Sequence, residues 1–299
     1  MTDRTLSTRR RFLAISAAAA MAPSAALPGD ASRVWTGRGL GGALSVRLDG
    51  VTPGRMQRLA ARIEATVDRV ERQFSLYRDS DLTRLNRDGR LSHPSDDVLS
   101  LFDLADRVHR ATGGAFDPTV QPVWAALARS GDVAGARRLV GWDRVRFDPD
   151  EIRLEPGMAL TFNGIAQGWA ADRVADALRA EGLENILIDM GEILGLGTAS
   201  TGAPWRASIL SPHGASVGQA RLHDLALATS SPLGTTIAGG AGHILHPLGL
   251  AAVWSTVSVS APQAAVADAL STACCLLPED GIDRAMQAFP GARCEVAVA

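Results

Sequence analysis

The chain reads as an α+β protein in one compact unit, a mixed β-sheet core flanked by helices, and three observations predict it. Two long stretches, residues 55–74 and 95–108, place apolar side chains at helical spacing, whereas short runs such as 43–48 and 257–261 carry strand patterns. Helical and strand patterns alternate irregularly, with no internal repeat. Residues 160–178, LTFNGIAQGWAADRVADAL, then combine a short apolar run, an Asn163-Gly164 turn and a helical period that stops at Gly182.

In chain order, Arg9-Arg10-Arg11-Phe12-Leu13, the apolar run 15–21 and the small residues Ser24 and Ala26 have the layout of a twin-arginine export signal. Residues 1–26 are therefore expected to be a signal peptide, and 27–299 the mature domain, exported to the periplasm or another extracytoplasmic space. The apolar run is too short to span a bilayer, and no later stretch suits one. Gly37, Gly39, Gly41 and Gly42 lead into a strand at 43–48. The helix at 55–74 gathers Met56, Leu59, Ile63, Val67, Val70 and Phe74 on one face. Ser80 offers a cap for a short turn of helix. Ser95, with Asp96 and Asp97 in the first turn, starts a second helix that ends at Thr112-Gly113-Gly114. Ala115-Phe116-Asp117-Pro118 has the composition of a ligand-holding loop. Residues 159–190 form a βαβ-like unit, which makes the sheet at least partly parallel. Further strands are expected at 205–210, 222–228 and 257–261, and a helix at 264–277.

The formal net charge is −2, and residues 1–26 hold four Arg against one Asp, so the mature domain carries −5, a poor balance for a nucleic-acid binder. There is no lysine, which excludes a P-loop lysine, a Schiff-base lysine and a lysine general base. Cys274, Cys275 and Cys294 lack metal-ligand spacing.

Two stretches carry chemistry. The first N–H groups of the helix after Gly164 lack helical partners, and Gly164 and Gly168 would let an anion approach the main chain. A tight βα turn with glycines chosen for geometry is the other reading. Asp268 and Thr272, four residues apart on one helix face, offer hard oxygens to a magnesium-like ion. Alternatively, Asp268 is a solvated first-turn acid and Thr272 a helix hydroxyl bonded back to its own backbone.

Ser75-Leu76-Tyr77-Arg78, Thr112 through Pro118, Gly164-Ile165-Ala166-Gln167-Gly168, His243-Ile244-Leu245 and Ala267-Asp268-Ala269 through Thr272, in that order, resemble the FAD:protein FMN transferase family, the ApbE-like proteins. The resemblance implies an ApbE-like, T-fold-like architecture and magnesium-dependent transfer of FMN from FAD to a threonine of an exported or membrane-associated acceptor protein, with release of AMP. It places Leu40, Tyr77, Ala115, Phe116, Asp117, Thr161, Gln167 and Ile244 at FAD. The Gly164 carbonyl, Asp268, Ser271 and Thr272 fall at the metal, and His243 and Asp268 at the chemistry, with His243 a proton carrier, a phosphate donor or, as lone histidines more often are, structural. Three positions depart from the family pattern: Gln167 replaces a lysine, His246 stands where the family has Asp, and a glycine pair is reduced to Gly191-Glu192. A hydrolase cutting FAD to FMN and AMP and a non-catalytic exported FAD-binding protein are the alternatives.

Overall fold

The computed structural model describes residues 32–299, so the twin-arginine signal lies outside the described residues. The chain runs β1 (Arg33–Gly39), β2 (Gly42–Leu48), α1 (Pro53–Phe74), α2 (Asp81–Asp88), β3 (Arg90–Ser92), α3 (Asp96–Ala111), α4 (Gln121–Ala128) and α5 (Val133–Arg137). It continues β4 (Arg146–Phe147), β5 (Glu151–Arg153), α6 (Ala166–Arg179), β6 (Ile186–Asp189), β7 (Ile193–Leu196), β8 (Trp205–Leu210), β9 (Ser216–Leu222) and β10 (Leu225–Ser230). The last elements are β11 (Thr256–Ala261), α7 (Ala264–Cys274), α8 (Glu279–Gln287) and β12 (Arg293–Val298).

The main sheet has the order β1-β2-β6-β7-β10-β11-β12, and each neighbouring pair is antiparallel. This overturns the parallel βαβ reading. Leu160 and Phe162 are buried as their apolarity demands, but the segment is not a strand. Its backbone is satisfied elsewhere: Asn86 Nδ2 donates to the Leu160 carbonyl (2.8 Å), Leu160 N donates to Asn86 Oδ1 (2.7 Å), and Thr161 N donates to the Pro118 carbonyl (2.9 Å). A side-chain amide here takes the place of a neighbouring strand.

Strands β6, β7 and β10 are apolar on both faces because both faces are covered. On one face Ile186, Ile188, Leu194, Leu196, Ala226 and Ala228 join the large core with α1, α3, α6 and α7. On the other, Leu187, Ile193 and Leu227 pack against Trp205, Ala207, Ile209, Ala220 and Leu222 of the β8–β9 hairpin. The expected 222–228 strand is the end of β9 and most of β10, broken at Asp224, whose φ is +54°. The helix signals read from sequence hold. Ser80 makes a capping box with Thr83, and Ser95 accepts from Val98 N.

Helices α6 and α7 cross closely at Gly168, where an added Cβ would strike the Ala264 carbonyl and come within 2.7 Å of Ala265 Cα. Gly168 thus makes room for a helix, and not for a ligand. Gly168→Ala is expected to cost about 1–3 kcal/mol of stability through overpacking against backbone that cannot rotate away. Chemical denaturation checks this, and an unchanged midpoint would show that the crossing is not tight.

Candidate active site

The α6–α7 crossing creates two reciprocal caps. Asp172 of α6 accepts from Ala264 N (2.8 Å) and Ala265 N (2.9 Å), the first N–H groups of α7. Asp268 of α7 accepts from Gly168 N (3.0 Å) in the first turn of α6. The anion expected at the start of α6 is therefore supplied from within, a carboxylate on a helix N-terminus.

Asp268 is only 3% exposed, which rules out the solvated-acid reading. Burial lifts its carboxyl to about 7, against the Gly168 N–H bond, and Asp172 adds repulsion; burial likewise lifts Asp172 to about 6. Glu192, 7% exposed, is driven well above the carboxylate range by burial and then by Asp268. In sequence Glu192 shows only as part of a shortened glycine pair, and Asp172 as an ordinary polar position of an amphipathic helix.

Asp268, Thr272, Gly164 and Glu192 line a cavity of about 260 Å³ with Ala115, Phe116, Asp117, Thr161, Ser230, His243 and Ile244. A Cβ at Gly164 would lie 3.0 Å from Thr272 Oγ1, so the two expected donors adjoin. Ser271 is fully buried outside this lining. Its hydroxyl donates to the Asp268 carbonyl (2.9 Å) and pairs with Ser230 Oγ (2.8 Å). The Asp117 carboxylate is bound into its own loop, accepting from Thr119 N (2.8 Å) and Thr119 Oγ1 (2.5 Å). His243 Nδ1 sits between the Pro232 (3.1 Å) and Thr235 (3.0 Å) carbonyls, which can only accept. The proton is thus on Nδ1 and Nε2 keeps its lone pair. Burial lowers the His243 pKa, so the neutral ring is the resting form.

A second cavity, about 310 Å³, is lined by Leu40, Gly41, Phe74, Ser75, Leu76, Tyr77 and Arg78, and meets the first at Asn163 and Gln167, which line both. Leu40 is held at φ +50° in the tight turn of the β1–β2 hairpin. Its N–H donates to Glu71 Oε1 (3.0 Å), its carbonyl accepts from Gln167 Nε2 (3.3 Å), and Glu71 also pairs with Arg78. Gly191 has φ +102°, and a side chain there would collide with the Gln167 amide.

A sequence profile described as the ApbE family matches residues 40–295, which take in both cavities. The chain belongs to the ApbE family. Among ApbE relatives, the FAD:protein FMN transferase of Vibrio cholerae is 30% identical over 171 residues, 52% of this chain and 51% of that one. That of Haemophilus influenzae is 26% identical over 265 residues, 78% and 76% of the two chains. The alignments to these two relatives thus span from about half to three quarters of their length. The structure of the Vibrio cholerae flavin transferase ApbE superposes with a TM-score of 0.77 at 26% identity, covering 90% of this chain and 98% of that one. The apo flavinyl transferase ApbE of Pseudomonas stutzeri gives 0.74 at 27% identity, covering 90% and 95%. Of the residues that the ApbE resemblance assigned, Leu40 and Tyr77 line the second cavity, Gln167 both, and the remainder the first, except Ser271. His246 lines neither.

The buried acids set a pH dependence. Asp172 and Asp268 hold protons more tightly folded than unfolded, so their stabilisation is complete at low pH and is lost as pH rises from about 4 through about 7. Every tenfold gain in proton affinity on folding is worth about 1.4 kcal/mol. Wild type is expected to lose melting temperature across that window relative to Asp268→Asn. Melting temperatures of the two proteins that run parallel with pH would refute this.

Proposed function

We propose that this chain transfers FMN from FAD to a threonine hydroxyl of an acceptor protein in a magnesium-dependent reaction that releases AMP. The observation that carries the reading is the charge of the first cavity. It presents the carboxyl groups of Asp117, Glu192 and Asp268 and no arginine, so nothing in the lining answers the charge of a dianionic pyrophosphate, and a divalent cation would. The donor set fits that cation. A buried carboxylate, a neighbouring hydroxyl and a main-chain carbonyl are hard oxygens suited to magnesium, and Asp268, raised to about 7 by burial, would regain its ionised form beside one. Two cavities joined at Gln167 suit a ligand with a ring at each end.

Asp268, Thr272 and the Gly164 carbonyl would hold the ion. When bound, magnesium neutralises the pyrophosphate and makes the phosphorus next to riboflavin more electrophilic. His243 Nε2 accepts the proton of the acceptor hydroxyl as its oxygen bonds to that phosphorus. The bond to the bridging oxygen breaks, and AMP departs with that oxygen. Gln167 donates a neutral amide N–H where the family pattern has a lysine, so binding is retained and charge stabilisation is reduced. His246 does not restore the charge, since it lies outside the cavities and burial with nearby Arg137 lowers its pKa. The twin-arginine pattern makes the acceptor an exported or membrane-associated protein.

Mature protein with FAD and magnesium is expected to release AMP and to label a threonine-bearing acceptor; AMP without labelling would mean a hydrolase, and neither would mean a binding protein. Asp268→Asn should abolish the magnesium dependence of FAD affinity, losing about 1.5–3 kcal/mol in titration calorimetry. His243→Ala should slow transfer about 10²–10⁴-fold with FAD affinity nearly unchanged. Gln167→Lys should raise turnover at nearly constant FAD affinity. Equal turnover in that variant would show the amide to be as good as the charge.

A further inference from the structure

Large exposed apolar side chains are concentrated in one segment of the chain. Among the described residues, Leu248 (76% exposed), Leu250 (64%), Leu233 (63%) and Val253 all belong to the segment between β10 and β11; only Val34 and Tyr77 share their class elsewhere. The same segment supplies Gly234, Thr235, His243, Ile244 and Leu245 to the wall of the first cavity. The leucines therefore flank the residues that border the reacting phosphorus in the proposed function.

The segment is built, and its apolar tips are not needed to build it. His243 N donates to the Pro232 carbonyl (3.0 Å), and Ile237 N to the Ala241 carbonyl (2.7 Å). Leu248 projects from a tight turn closed by Gly249 N donating to the His246 carbonyl (2.8 Å), with His246 Nδ1 accepting from Leu248 N (3.1 Å). Gly249, at φ +78°, lies so close to the Arg137 guanidinium that any side chain would collide with it. Arg137 makes no ion pair among the described residues, and Arg138 beside it is exposed. The turn thus shows leucines with a cation beside them.

We propose that this rim docks the acceptor protein through a segment with apolar side chains and a carboxylate close to the target hydroxyl. The inference rests on the transferase reading, in which a polypeptide must enter the mouth beside His243. Leucines at 233, 248 and 250 take the apolar side chains, and Arg137 takes the carboxylate. A second copy of this chain fits less well, because symmetric pairing about the turn brings two Arg137 guanidiniums together and closes the mouth through which FAD enters.

The test uses mature protein with FAD and magnesium and three labelled peptides with valine in place of the central threonine, so that no acceptor hydroxyl is present and no transfer intervenes, flanked by Leu and Asp, by Leu and Arg, or by Gly and Ser. In fluorescence anisotropy the Leu/Asp peptide is expected to bind about tenfold or more tighter than the Gly/Ser peptide, as a small cluster of anchors provides. The Leu248→Asp/Leu250→Asp double variant should erase that preference and Arg137→Glu should turn it toward the Leu/Arg peptide, both with unchanged FAD affinity. Equal binding of the three peptides, or variants that keep the wild-type order, would overturn the proposal. So would light scattering that shows a wild-type dimer and a monomeric double variant. AMP release from FAD and magnesium is read separately, so failure of the docking surface and failure of the transferase reading are told apart.

Discussion

Two carboxylates exchanged between two helices hold the site together. Asp172 caps α7 and Asp268 caps α6, across a crossing that only glycine at 168 permits. Each acid supplies the negative charge that the other helix's N-terminus attracts, and each is fixed by main-chain donors that cannot rotate. The arrangement settles where Thr272 stands, one turn beyond Asp268 on the same helix. It also leaves Asp268 with one oxygen bound to the Gly168 N–H and a protonation equilibrium pulled up to about 7 by burial.

The rest of the fold positions material around that pair. Covering β6, β7 and β10 on both faces fixes the sheet against which α6 and α7 lie, and β10 ends at Ser230, whose hydroxyl meets Ser271 and Thr272. An aromatic cluster of Phe74, Phe102, Trp142 and Phe162 supports the loop at Phe116 and the segment before Gly164. Gln167 spans from the Leu40 turn to Gly191, and one residue thereby ties the second cavity to the first. Its amide puts a neutral donor at that junction.

Much of this was legible in sequence where a signal is local. Caps at Ser80 and Ser95 and the helical faces of α1 and α3 follow from patterns that neighbouring residues complete by themselves. Nearly all the residues that the resemblance assigned line a cavity, because a family's ligand loops are carried by short contiguous stretches, whereas lining residues such as Glu192, Ser211, Thr229 and Ser230 lie outside those motifs. Strands β1, β7 and β12, the small β3-β5-β4 sheet and helices α4, α5 and α8 were missed, since their short or half-exposed segments have no strong period until a partner is present.

Sequence by itself determined that α1, α2, α3, α6 and α7 are helical and where they start, because capping and amphipathic spacing are properties of a few adjacent residues. Only the tertiary structure decided that the sheet is antiparallel, that Gly168 admits a helix, that Asp172 and Glu192 crowd Asp268, and that Ser271 faces away from the cavity. Those outcomes depend on contacts between residues far apart in the chain: Asp268 lies one hundred positions from the N–H it caps. Burial of a charge is set by what covers it, and no local pattern records that.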